Sequence, residues 1–449
     1  MSKLAAVELL AVCVDAPSPA PEVAETIRRS LGGSRRPGGR WLVAWAEHYR
    51  DAEALVSHFA GFAEEELAAA AHPGRAAGAV QADVAAALLR FQVAWLEQLD
   101  RREGAVEAMR RLIALERGDT DELRKLLEWF IAQEAWNLAD ELAERFAGPV
   151  ETTPALLYLV AEAQAGQGKT ERAEQTAERA LALRPGSNRT WLDDRRRLAL
   201  DLWRRHRREW AAREFRYVLD HGAENDLVTI ATRHTFAHML YDRGEAREAA
   251  QVLEALVEQF ERDPDFAEQL SMNPGFARAR MTPAMTRAKR HYYLARHYHG
   301  LEEYAKEREY LDRALADDPG ELDALIARYR LPNQSEAYRR ATREMIRASA
   351  EELRENIDRY PDEARWYNQF AWLIGNTEGD LDEALRYSHK SLELRPDEGA
   401  YYDTLAHVYF ARQDYANAVK YQTRAAELEP YSRLISEKLA VFRTALESL

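Results

Sequence analysis

Residues 400–430 read AYYDTLAHVYFARQDYANAVKYQTRAAELEP, and the fold turns on this stretch. Tyr402, Leu405, Ala406 and Tyr409 fall three, one and three residues apart, and Ala418, Ala425 and Pro430 follow. Residues three or four apart share one face of a helix, so the spacing predicts two short helices with a turn between them. Antiparallel helices approach closely only where facing side chains are small, and the alanines supply those crossings. Large residues then fill the space between one helix pair and the next. Pro430 ends the second helix, because proline has no N–H to donate and its ring collides with the preceding turn. Pro396 stands 34 residues upstream of Pro430, which makes the pair a repeating unit.

This segment resembles the tetratricopeptide repeat, whose pattern is Trp-x2-Leu-Gly-x2-Tyr, then Ala-x3-Phe, then Pro. Ala406 replaces the Gly and Gln422 the late aromatic. The same order runs through Leu157, Val160, Ala161, Gly168, Ala173, Ala177, Ala180 and Pro185, and through Ala237, Leu240, Gly244, Ala249, Leu253 and Leu256. It also runs through His291, Leu294, Ala295, Tyr298, Leu311, Ala314 and Pro319, where Glu307 takes the usual Ala position and predicts a looser crossing. Between Tyr360 and Pro396 the pair is slightly long, with one extra residue in its turn, Asn376 to Asp380. Weaker pairs are readable at Val84 to Leu115, Asp121 to Phe146 and Thr190 to Leu219, and Ala341 to Tyr360 reads as a second helix longer than usual. Ser432 to Leu449 is one further amphipathic helix, the cap a solenoid needs. No run alternates in the manner of a strand. The resemblance implies an all-α fold: a tetratricopeptide-like superhelical solenoid of antiparallel helix pairs with a C-terminal capping helix. By repeat quality the chain divides into degenerate N-terminal helical repeats (1–147), tetratricopeptide-like repeats (148–262), an irregular inter-repeat segment (263–286), and C-terminal repeats with the cap (287–449).

Composition narrows the function. The 449 residues are 46% hydrophobic and 31% charged, enough to bury a large core, and the net charge of -14 sets a field that repels nucleic acid and anionic membranes. Cys13 is the single cysteine, so no intrachain disulfide or multi-cysteine metal cluster forms, which fits a cytoplasmic setting. No apolar stretch reaches the roughly 20 residues that span a bilayer. Leu4 to Val14, with Lys3 before it and Ala16, Ser18 and Ala20 after it, is similar to a short signal peptide, but Glu8 in its middle favours an amphipathic helix. Opening in such a helix suggests that a further repeat precedes it.

Sites for chemistry are weak. Ala163-Gln-Ala-Gly-Gln-Gly168-Lys169-Thr170 fits a relaxed phosphate-loop pattern, but a phosphate loop must follow a strand, and a repeat turn at Gly168 accounts for the match. His291, His297 and His299 are spaced by six and two, which does not bring their rings together on one helix face. No Gly-x-Ser-x-Gly elbow occurs. Glu64 to Glu66 and the pair Asp362 and Glu363 read as solvated faces or helix starts. Neither catalysis nor a cofactor is expected.

Three places are candidate partner-binding sites. One is a basic cluster that includes Arg195, Arg204, Arg205 and Arg208; either intrahelical pairing with Asp193, Asp194, Asp201, Glu209 and Glu214 consumes it, or it docks an acidic peptide. The second is the Met- and Pro-bearing break from Asp263 to Pro283, with Met272, Arg278 and Met281; it reads either as a linker packed on its own domain or as a partner loop. Breaks at Pro17 to Pro21 and Gly32 to Gly39 read as loops. The third is the first-helix face at Trp366, Asn368 and Tyr401. Some family members clamp a peptide's terminal carboxylate with Lys and Asn side chains; here only Asn368 resembles that clamp, and Ala400 and Thr404 stand where Lys and Arg are expected. The resemblance implies a non-catalytic protein- or peptide-binding scaffold that uses its concave face, with no nucleic-acid or membrane partner. The alternative is a regulatory or sensor module of a larger enzyme or effector assembly.

Overall fold

The computed structural model describes residues 3, 6, 9, 10, 20–31, 37–70, 75–183 and 190–448. Cys13, most of the Leu4 to Val14 and Pro17 to Pro21 segments, part of Gly32 to Gly39, and Pro185 lie outside the described residues. Every regular element among those described is a helix. The chain forms two compact units, Met1–Gly186 and Ser187–Leu449, so their division falls inside the 148–262 segment.

The first unit contains α1 (Ala20–Leu31), α2 (Pro37–His48), α3 (Ala52–Ala70), α4 (Arg75–Gln98), α5 (Arg102–Leu115), α6 (Thr120–Ala132), α7 (Trp136–Arg145), α8 (Ala147–Thr152), α9 (Pro154–Gly166) and α10 (Thr170–Ala182). The second contains α11 (Trp191–Arg204), α12 (Arg208–His221), α13 (Leu227–Asp242), α14 (Ala246–Arg262), α15 (Pro264–Met272), α16 (Pro274–Arg278), α17 (Pro283–Gly300), α18 (Tyr304–Asp317), α19 (Leu322–Arg330), α20 (Glu336–Arg359), α21 (Ala364–Asn376), α22 (Leu381–Leu394), α23 (Gly399–Ala411), α24 (Tyr415–Leu428) and α25 (Arg433–Glu447).

One turn geometry recurs between paired helices. Asp100, Glu134, Gly168, His206, Gly244, Glu302 and Gln413 each adopt a positive φ of 50 to 91°. The next residue's N–H then donates back to the carbonyl that opens the last helical turn, as from Arg101 to Leu96, Arg207 to Leu202 and Asp414 to Tyr409, at 2.8 to 3.0 Å. This left-handed C-terminal motif satisfies carbonyls that a helix end leaves open. It makes the weakly patterned pairs α4/α5, α6/α7 and α11/α12 the same hairpin as α9/α10, α13/α14, α17/α18 and α23/α24. Counted outward from the left-handed residue, small residues occupy one crossing in most of them: Ala161, Ala199, Ala237, Ala295 and Ala406 on first helices are all fully buried.

Two expectations are corrected. The 263–286 segment is not irregular but holds two short helices, α15 and α16, before α17 begins. The prolines that read as breakers, Pro264, Pro274 and Pro283, each sit in the first turn of a helix, where a missing N–H costs nothing. Asp263, Asn273 and Thr282 cap those helices by accepting from backbone N–H groups, and Phe266, Ala267 and Phe276 pack on the core formed by Ile230, Leu256, Phe260 and Leu270. The crossing at Glu307 is not simply loose: its carboxylate is 1% exposed and meets Arg296 Nη1 at 3.2 Å and His299 Nδ1 at 2.9 Å.

The C-terminal helix does more than cover the last repeat. Phe442 is buried against Ala406 and Ala418, as a cap requires. Its N-terminus, however, is held by Asp242 at the end of α13, 190 residues upstream. The Asp242 carboxylate accepts from Ser432 Oγ at 2.8 Å and from the backbone N–H groups of Arg433 at 3.1 Å and Leu434 at 3.2 Å. Those are donors that no intrahelical carbonyl reaches, and satisfying them with a carboxylate also suits the helix dipole. Arg208 Nη2 adds a bond to the Tyr431 carbonyl at 2.8 Å. The helix array of the second unit therefore returns on itself.

Candidate recognition surface

Register identifies the inner wall of the second unit. The residue after the large first-helix slot, and the one four later, are His234 and His238 on α13, Tyr292 and Arg296 on α17, and Asp403 and His407 on α23. Four residues is just over one turn, so each pair shares one face. These faces converge: Tyr241 and Tyr292 share a hydroxyl hydrogen bond of 2.9 Å, and Lys438 on α25 feels the charges of Arg330, Asp403 and Arg296 from three other helices.

The wall is polar. His238 is exposed to solvent, yet burial first and Lys289 second lower its imidazole below the ordinary value. His234 is pushed down to about 4 by burial and Lys289, and its Nε2 lies 3.1 Å from Thr286 Oγ1. Burial alone would lower the Lys289 ammonium, but Glu321 at 2.7 Å and Asp323 at 3.3 Å raise it overall. Trp372 Nε1 donates to the other Asp323 oxygen at 3.0 Å.

A second group lies around Asn376. Its Oδ1 accepts from Arg330 Nη2 at 2.6 Å and faces His407 Nδ1 at 2.9 Å. An acceptor oxygen requires the proton on Nδ1. Burial, with Lys438 and Arg330, lowers His407 to about 3, so the ring is neutral at physiological pH and its buried Nε2 is an acceptor with no hydrogen-bond partner among the described residues. Gln422, which the sequence pattern shows in an aromatic position, is fully buried and donates to Asp403 Oδ1 at 2.6 Å and to the Ile435 carbonyl at 3.1 Å. It ties α23 to α25, a task no phenylalanine performs.

The candidate residues fall in different places. Arg195 is corrected: it is 4% exposed, bonds Glu214 Oε1 at 2.6 Å and lies 4.8 Å over the Tyr217 ring, so it is an interior residue. It occupies the large slot of α11, and that is why it points inward. Arg204 is exposed, 3.6 Å from Asp201; Arg205 is half-buried; Arg208 is engaged with Tyr431. Met272 is 72% exposed, Arg278 is exposed and Met281 half-buried. Trp366, Asn368 and Tyr401 are half-buried, with Trp366 Nε1 and Asn368 Oδ1 lacking hydrogen-bond partners among the described residues. Arg365, which sequence reasoning passed over, joins several of them: it donates to the Arg278 carbonyl at 3.2 Å, stacks 4.3 Å over Trp366 and acts on the Tyr401 hydroxyl. The wall residues His234, His238, Arg330 and Lys438 were missed as well; counting one and five residues beyond each slot would have found the histidines.

In the first unit a cleft of about 380 Å³ opens between α7 and the α9/α10 hairpin, lined by Asp140, Glu144, Glu151, Arg172, Arg179 and others. Gly168 lies in the α9/α10 turn at φ 78°, with a helix before it. Among the described residues no group of His, Cys, Asp and Glu could hold a metal ion, and no helix is long and apolar enough to cross a membrane.

Residues 400–432 match the tetratricopeptide-repeat family model. No curated protein matches the chain in sequence. Among solved structures, a thermophilic TPR protein of Thermus thermophilus is 18% identical over 48% of this chain and 98% of its own, with a TM-score of 0.31. Naa15/Naa10 bound to HypK-THB is 15% identical over 95% of this chain and 66% of the other, at 0.32. Yeast Tom70 is 14% identical over 89% of each chain, at 0.29.

Proposed function

With residues 400–432 as a tetratricopeptide repeat inside an all-helical array, we propose that this chain is a non-catalytic scaffold that binds a protein segment along the inner wall of its second unit. One observation carries the reading: polar side chains recur at the same two register positions on the first helices α13, α17 and α23, and four of the six, His234, His238, Arg296 and Asp403, reach solvent. A packed core would place apolar residues there, and burying polar groups without a return is costly. Repeat arrays suit the task because rigid neighbouring hairpins present an extended surface without reorganisation. The partner is a peptide or helix, drawn by the wall's hydrogen-bonding groups and by Arg365 and Trp366 at its edge. Localisation in the cytoplasm belongs to the same proposal.

Photo-crosslinking residues placed at His238, Asn368 and Tyr401, with outward controls at Lys420 and Arg424, test it on the full chain. Crosslinks to one partner from the inner positions, absent from the controls, are expected. Crosslinks from the controls alone would sink the reading.

A further inference from the structure

The inner wall carries cations that its own carboxylates do not neutralise. Arg330 is exposed and has one hydrogen-bond partner among the described residues, the uncharged Asn376 Oδ1 at 2.6 Å. Lys438 faces it from α25, half-buried, with no hydrogen bond or ion pair within 4.0 Å among the described residues. Arg296 lies beside both, already engaged by Glu307. Next to them stands His407, 6% exposed, whose Nε2 has no hydrogen-bond partner among the described residues and lies 4.0 Å from Asp403 Oδ1.

Partly desolvated cations are normally paired, because desolvation penalises an isolated charge. Here Arg330, exposed, and Lys438, half-buried, also feel other cations. Arg330 is held below its ordinary value by burial and then by Arg296, and Lys438 by burial and then by Arg330. Asp403 is the carboxylate facing Lys438 from α23, but burial pushes it up to about 6 and Gln422 occupies its Oδ1. Glu437, on the same helix as Lys438, is turned to Arg433. The protein thus assembles positive charge from α17, α19 and α25 where all three cations still reach solvent, and supplies only a part of the matching negative charge.

We propose that this is a site for a compact oxyanion, a carboxylate or phosphate group, held by the Arg330 guanidinium and the Lys438 ammonium. Arg330 offers the planar fork that matches two oxygens, and Lys438 a point charge opposite it. A protonated oxygen of the ligand, or a water it brings, donates to His407 Nε2. Because α25 supplies Lys438, the site is complete only when Asp242 holds that helix in place. The proposal does not depend on the peptide-binding reading, since a free anion can occupy the site.

The test is thermal unfolding and titration calorimetry of the full chain with inorganic phosphate or malonate, against chloride at equal ionic strength. Arg330→Met, Lys438→Met and the double variant are compared with Lys420→Met, an outward control. Phosphate or malonate should raise the midpoint of the parent and of the control, and bind at least tenfold more weakly to each inner variant. Without anion, the inner variants should unfold at the parent's midpoint or above it, because removing one of several repelling cations relieves their repulsion. A midpoint below the parent's would assign these residues a structural role and overturn the site. So would anion binding that survives in the double variant, or none in the parent. A Glu-rich peptide distinguishes the sources: competition with phosphate places the oxyanion on a partner segment, whereas phosphate binding without competition places it on a free small molecule. Either result upholds the site.

Discussion

The hairpins α11/α12 and α23/α24 share a register and differ in chemistry. Counted from His206 and Gln413, Ala199 matches Ala406 and Ala211 matches Ala418, all four fully buried. The large slots match as well, but Tyr402 and Tyr421, stacked at 6.4 Å, correspond to Arg195 and Glu214, paired at 2.6 Å. The late aromatic missing from the second hairpin is present in the first as Phe215, where Gln422 stands in the other. Small residues at the crossings carry the fold. The large slots accept rings or an ion pair, provided the space is filled and the polar atoms are satisfied.

That contrast predicts its largest effect at Arg195. Arg195→Met leaves the Glu214 carboxylate buried without its cation, and removing one partner of a buried pair costs about 3–5 kcal/mol. Replacing Glu214 by Leu in the same chain should recover most of the loss, since the slot then holds two apolar side chains. Tyr402→Leu, at the matching position, should cost far less. Denaturant unfolding followed by tryptophan fluorescence measures all three, and an Arg195→Met loss no greater than that of Tyr402→Leu would mean the ion pair does not fill the slot in the way the ring pair does.

The crossings should respond alike where the slots do not. Leucine at Ala199 or at Ala406 forces two helices apart, and overpacking of this kind costs about 1–3 kcal/mol. The two losses should agree within the error of the measurement. A clear inequality would show that the hairpins differ at their crossings, and that the shared alanines hide different packing.

The crossings were what the sequence made readable. Alanine at helical spacing with proline beyond it identified α9/α10 and α23/α24 as repeats, and fixed their helix ends closely. The α11/α12 pair was harder because Arg195 and Glu214, charged residues in aromatic slots, read as surface charge. The turns gave little help: among the left-handed turn residues only Gly168 and Gly244 are glycine, and His206, Glu302 and Gln413 carry no turn signal. Pro264, Pro274 and Pro283 misled in the opposite direction, since proline begins a helix as readily as it breaks one. The wall around Arg330 and Lys438 was hidden for a different reason. It exists because Asp242 grips Ser432 across 190 residues, and no local pattern encodes a contact of that range.

The smallest effect lies in the turns themselves, where the two hairpins agree. His206 at φ 60° and Gln413 at φ 63° are exposed L-residues in the left-handed region, a conformation that costs a side chain roughly 1–2 kcal/mol and costs glycine almost nothing. Glycine offsets part of that gain by its greater freedom in the unfolded chain, about 0.5–1 kcal/mol. His206→Gly and Gln413→Gly should therefore each stabilise by roughly 0.5–1 kcal/mol, and Gly168→Ala, at φ 78° in the corresponding turn, should destabilise by a similar amount. Equal shifts in the unfolding midpoint at His206 and Gln413 would establish that the weakly patterned hairpin and the family-like one are closed by the same device. A gain at one with a loss at the other would separate them at the one feature they hold in common.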